Sequence, residues 1–181
     1  MKRTILFGLA IFICNLIISQ DQKKESKQSN AEIFSSKSGT LIEKQYIEIG
    51  SIKSTKLKIA KFTDMISGES AKALRFTKTV VSSYSNDTKI ASLDIDEVDG
   101  LIKSLEIIQE SVLNTIPDNY TEITFKSRGG FEAGCYYSKR KNKWIVYYQI
   151  EKYGSDSIVR MEEKGLADLL ELLKLAKTKL S

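Results

Sequence analysis

The chain has 181 residues, 41% of them hydrophobic, with 28 basic and 23 acidic side chains, one proline, two cysteines and no histidine. Without histidine there is no imidazole base, no Ser-His-Asp or Cys-His nucleophile and no His-ligated metal. Two cysteines cannot build a disulfide scaffold or a Cys-rich zinc site, and a net charge of +5 is too mild to identify a polyanionic partner unless it is concentrated somewhere.

At the N-terminus, Lys2 and Arg3 precede an apolar run from Ile5 to Ile18 that only Gly8 and Asn15 interrupt. The run is shorter than the roughly 20 residues that span a bilayer. Its proportions predict a secretory signal peptide over residues 1–19, cleaved near Ser19 or Gln20, with an uncleaved anchor as the alternative. Cys14 follows Ile13 rather than a small residue, and Leu16-Ile17-Ile18 continues the run past it, so an apolar role is favoured over lipoprotein anchoring. The expectation is an exported protein, periplasmic or extracellular, with no transmembrane span in its mature chain. Loss of Lys2 and Arg3 lowers the net charge to +3 and leaves Cys135 as the one thiol, so the core must hold the fold without a disulfide.

Residues 20–38 are polar and rich in Gln, Lys and Ser, the composition of a flexible tether. The remainder, 39–181, has the size of a single domain. Period-2 alternation predicts strands at Leu41–Ile49, Leu57–Phe62, Ala73–Val81 and Thr88–Asp94. The period then changes: Val98, Leu101, Ile102, Leu105, Ile108 and Val112 share one helical face. Asp94 or Asp96 caps this helix, Glu97 and Asp99 suit its positive end, and Pro117 closes the segment. The second half repeats the plan, with strands at Tyr120–Lys126, Phe131–Ser138, Trp144–Glu151 and Ser157–Met161. A C-terminal helix follows, carrying Leu166, Leu169, Leu170, Leu173 and Leu180 on one face.

The predicted fold is therefore α+β: two ββββα units, antiparallel sheets and two packing helices, with an eight-strand barrel flanked by helices as the alternative. An offset of 65 places Gly100, Leu101 and Leu105 over Gly165, Leu166 and Leu170, which suggests an internal repeat of 39–116 and 117–181. Over residues 41–180 this topology resembles the Whirly and PUR-type single-strand nucleic-acid-binding folds. The resemblance is one of topology, without a shared sequence motif, and it implies a nucleic-acid partner that an exported chain would not meet. The segment Leu93-Asp94-Ile95-Asp96-Glu97 is also similar to the strand and acid-capped helix of uncharacterised exported bacterial proteins, a likeness that implies no chemistry.

Charge placement marks the candidate partner-binding surface. Lys126, Arg128, Lys139, Arg140, Lys141 and Lys143 face a single acid, Glu132, a net +5 within 18 residues. The same region holds Tyr137, Trp144, Tyr147 and Tyr148 among seven of the fourteen aromatics beyond the signal segment. Cations on turns beside rings on strands can engage phosphates, acidic groups, sugars or bases. The competing reading is solvated turns flanking good sheet formers.

Other motifs have structural readings. Arg128-Gly129-Gly130-Phe131 is a tight turn before it is an RGG unit. Asp94, Asp96, Glu97 and Asp99 fail the calcium-loop pattern, because Val98 and Leu105 occupy ligand positions. Cys135 lies in a strand as a small buried residue, and Glu162-Glu163 suits a first helical turn. No catalytic residue, metal ligand or cofactor is assigned. The expected function is an exported, non-enzymatic binding or structural module of the cell envelope, its partner an envelope protein, a glycan or an anionic ligand. The alternatives are single-strand nucleic-acid binding and a His-free carboxylate hydrolase.

Overall fold

A computed structural model describes residues 28–81, 86–152 and 154–181. The expected signal segment and the first part of the tether, to residue 27, lie outside the described residues, as do residues 82–85 and Tyr153. Among the described residues, eight strands form two separate four-stranded antiparallel sheets, each a meander in chain order. The first sheet comprises β1 (Ile42–Ile52), β2 (Thr55–Asp64), β3 (Ser70–Val81) and β4 (Asn86–Leu93). The second comprises β5 (Glu122–Lys126), β6 (Glu132–Ser138), β7 (Lys143–Gln149) and β8 (Ile158–Met161). The two ββββα units are thus present and the closed barrel is not.

Among the described residues, three helices accompany the sheets: α1 (Asn30–Ser35), α2 (Ile95–Ile107) and α3 (Glu163–Leu180). The end of α2 continues through a π turn, Ile108–Val112, before the chain reaches Pro117. α1 was not expected. The polar stretch read as a tether through Ser38 is helical in its second half because Ser29 caps it, its Oγ accepting the Glu32 N–H at 3.2 Å. Ala31 and Phe34, three apart, fall on one face and pack on Ala60, Phe62 and Ala73 of the first sheet.

One main core unites the two units. Leu57, Ile59, Leu74, Phe76 and Leu93 project from the first sheet, and Phe131, Cys135, Val146 and Tyr148 from the second. Val98, Leu101 and Leu105 of α2 and Leu166, Leu169 and Leu173 of α3 fill the space between. The Phe76 and Phe131 rings lie 4.7 Å apart, joining β3 to the residue that leads into β6. The helices also pair at their surfaces, through Lys174–Glu106 and Lys177–Asp99, both at 2.7 Å. The corresponding glycines of the two helices serve the same purpose. A Cβ on Gly100 would meet the Phe125 ring at 3.2 Å and one on Gly165 would meet Met161 at 3.0 Å, so each helix sits closely on a strand of the second sheet.

No helix among the described residues is long and apolar enough to cross a membrane.

Candidate functional site

The charged hairpin region separates into three environments. Arg128 is enclosed by acids. Its guanidinium reaches Asp94 at 2.7 Å and Asp96 at 2.8 Å, and lies 3.3 Å from Glu97. Its backbone N–H donates to Glu97 Oε1 at 2.7 Å. Asp94, mostly buried, also accepts the N–H groups of Asn30 at 2.6 Å and Ala31 at 3.1 Å, while its own N–H donates to Glu97 at 3.0 Å. One carboxylate thus ties the start of α1, the start of α2 and the β5–β6 turn together. The Arg128 pair holds Asp96 below the usual carboxylate range and raises the guanidinium further. Arg128 therefore serves as the counter-charge to these acids. The acids considered as a cation site have a guanidinium for their cation, and among the described residues no group of three or more acids or thiols is placed to hold a metal.

The second environment is the core. Tyr148 is fully buried, stacked 6.1 Å from Phe131, and burial pushes its hydroxyl up to about 12. Tyr137 is 4% exposed, with its hydroxyl donating to Asn142 at 2.7 Å. Strand alternation points both rings inward, as it must for one member of each Tyr-Tyr pair. Tyr147 takes the opposite face yet is only 7% exposed, packed beside Tyr136 and donating to Glu122 at 2.7 Å. Burial first, and the Glu122 charge after it, raise its hydroxyl to about 12. These three tyrosines are corrections to the expected surface, because each is sealed by neighbours that sequence separation conceals. Cys135 is fully buried and its thiol is pushed up to about 11 by burial and then by Glu122, so it is protonated and weakly nucleophilic at neutral pH.

The third environment remains open. Lys126 pairs with Glu132 at 3.0 Å, and Lys139 donates to the Asp118 carbonyl at 3.0 Å. Arg140 and Lys141 are exposed at the tip of the β6–β7 turn, with no side-chain partner among the described residues. Asn142 closes that turn in the left-handed region, φ 49°, which asparagine tolerates. Lys143 pairs loosely with Glu162 at 3.5 Å, both largely exposed. Trp144, half-buried, packs edge-on to Tyr137 at 5.4 Å and donates Nε1–H to the Thr115 carbonyl at 2.8 Å.

Lys141, Lys143 and Trp144 line an open cleft of about 1040 Å³. Its opposite wall is the β1–β2 tip around Lys53 and the first half of α3, with Lys164, Asp168 and Glu171; Ile145, Met161 and Leu172 provide apolar patches. Lys53 holds the hairpin tip with a left-handed φ of 52°. Gly165 lets the first turn of α3 settle against Met161 and so sets the depth of the cleft at that end. Cations and acids both line the cleft, with Arg160, Glu162 and Glu163 completing the set. The arrangement suits a ligand that presents both charge signs and an apolar side chain. Sequence reading missed Lys53, Arg160, Lys164, Asp168 and Glu171, which come from separate segments and look like ordinary surface charges until the sheets and α3 bring them together.

No family model matches the sequence, and no curated protein matches it.

Proposed function

We propose that this chain is an exported, non-enzymatic binding module of the cell envelope, and that its partner is a protein segment received in the Trp144 cleft. The observation that supports this reading is the cleft itself. At about 1040 Å³ it lies at the upper end of small-molecule sites. Its mixture of charges of both signs with apolar patches resembles the polar and apolar parts of a protein interface. Trp144 supplies the ring type over-represented among residues that dominate binding energy. The narrowed surface retains Lys141, Lys143 and Trp144, with Lys139 and Arg140 beside them on the same turn, and leaves out Lys126, Arg128, Tyr137, Tyr147 and Tyr148.

Affinity capture from solubilised envelope tests the proposal. The wild-type chain is expected to retain a defined partner. A double Lys141→Glu, Lys143→Glu variant with unchanged thermal stability is expected to lose most of it, because reversing two rim charges opposes the partner's acids. Equal capture by the variant would overturn the assignment.

A further inference from the structure

A second polar surface lies on the face of the first sheet turned away from the core, reached from the cleft across the β1–β2 tip at Lys53 and Ser54. Strand register places Tyr46 beside Ala60 and Ala73, and places Glu48, Lys58, Arg75 and Ser92 in the adjoining row. Lys56, Thr77 and Ile90 form the row beyond. α1 covers the apolar part of this face, over Ala60, Phe62 and Ala73. Where α1 ends the chemistry changes, and the uncovered part is a shallow groove of about 580 Å³. It is lined by Tyr46, Lys56, Lys58, Arg75, Thr77 and Thr79.

We infer that this groove is a second binding surface, for an extended acidic polysaccharide. Among the described residues, three cations line it and no carboxylate does. The nearest acid, Glu48, reaches Lys58 at 3.8 Å from a side chain that is 66% exposed, too loose to cancel that charge. Lys56 and Lys58 stand two residues apart on β2, about 7 Å at the usual strand rise, and Arg75 is the register partner of Lys58. The positive charge therefore runs both along and across the strands, complementary to a polyanion lying on the sheet. The hydroxyls of Thr77 and Thr79 can donate and accept, as sugar hydroxyls require. A nucleic acid fits less well. Among the described residues Tyr46 is the one aromatic lining the groove, and the Arg75 guanidinium lies over its ring at 5.4 Å, occupying a face on which a base would stack.

The groove and the Trp144 cleft share no residue, so the two assignments fail separately. The test is calorimetric titration of the whole exported chain with polygalacturonate at low and moderate salt, with dextran and a fifteen-residue oligothymidylate as parallel titrants. Binding to polygalacturonate, weakening as salt rises and absent with dextran, is expected. Lys56→Glu with Arg75→Glu is expected to weaken it at least tenfold, and the neutral pair Lys56→Gln with Arg75→Gln to give a smaller loss if the reversed pair does not fold. Lys141→Glu with Lys143→Glu in the cleft is expected to leave it unchanged. The inference is overturned by absence of binding at low salt, by full binding in both groove variants, or by tighter binding of the oligothymidylate.

Discussion

Replacing Arg128 by methionine keeps the aliphatic stem and removes the guanidinium. Two buried carboxylates then lose their counter-charge: the Asp94 and Glu97 side chains are 9% and 6% exposed, and both lie within 3.3 Å of the guanidinium. Removing one partner of a buried ion pair costs about 3–5 kcal/mol, because the remaining charge stays desolvated. Arg128 itself is 38% exposed, so water reaches the site and screens part of that cost. The Arg128 N–H still bonds Glu97, and the Asn30 and Ala31 N–H groups still bond Asp94, which softens it further. The expected loss is about 2–3 kcal/mol, a large share of the roughly 5–15 kcal/mol that holds a domain together. At about 2–4 °C per kcal/mol for a chain of this size, Tm should fall by roughly 5–10 °C. Urea unfolding followed by circular dichroism at pH 7 measures the difference. Arg140→Met, from the same charged region but with no side-chain partner among the described residues, is the control and should lie within about 0.5 kcal/mol of wild type. If Arg128→Met also fell within that margin, Arg128 would not be the counter-charge that closes this site.

Other outcomes follow from the same packing. A Cβ at Gly134 would collide with the Ile123 carbonyl, so Gly134→Ala should part β5 from β6 and cost about 3 kcal/mol or more, read as a lowered urea midpoint. Asp64, Asp87 and Asp96 all titrate below their ordinary value in the folded chain, held there by Thr40, Lys89 and Arg128 respectively. Their contribution is complete above about pH 4 and is lost as pH falls through the lowered values, so acid titration of stability should fall below pH 4 and less steeply in Arg128→Met. The buried Cys135 thiol, at about 11 in the folded chain, should resist a disulfide reagent at pH 8 and react stoichiometrically in urea.

The elements were legible where one local signal decided them. Alternation in β2, with Leu57 and Ile59 inward, and the leucine face of α3 correspond to residues that are in fact buried. The Asp94–Glu97 capping box could be read from its spacing. α1 also had a signal, Ser29 followed by an apolar pair at Ala31 and Phe34, but the polar composition around it outweighed six residues. The candidate site was legible only as a density of charge. Arg128 and Lys141 look alike in a linear sequence, yet one has partners 31 to 34 residues away and the other has none among the described residues. Alternation puts the two rings of each Tyr-Tyr pair on opposite faces, but does not single out Tyr137 and Tyr148 as the buried members. Nor could it show that Tyr147, on the outer face, is sealed by Tyr136 of the adjacent strand and by Glu122 of β5, one strand further on. The basic groove left no linear trace, because its cations lie on two strands and are separated by apolar residues of the opposite face.

The central claim, that the Trp144 cleft receives a protein segment, is tested most directly by photocrosslinking in intact envelope. A photoreactive residue at position 164, in the cleft wall, should form one defined crosslink to a protein, and Trp144→Ala in the same chain should abolish it. The same residue at position 88, on the far edge strand of the first sheet, should form none. Absence of a crosslink at 164, or an equal yield from 88, would contradict the account.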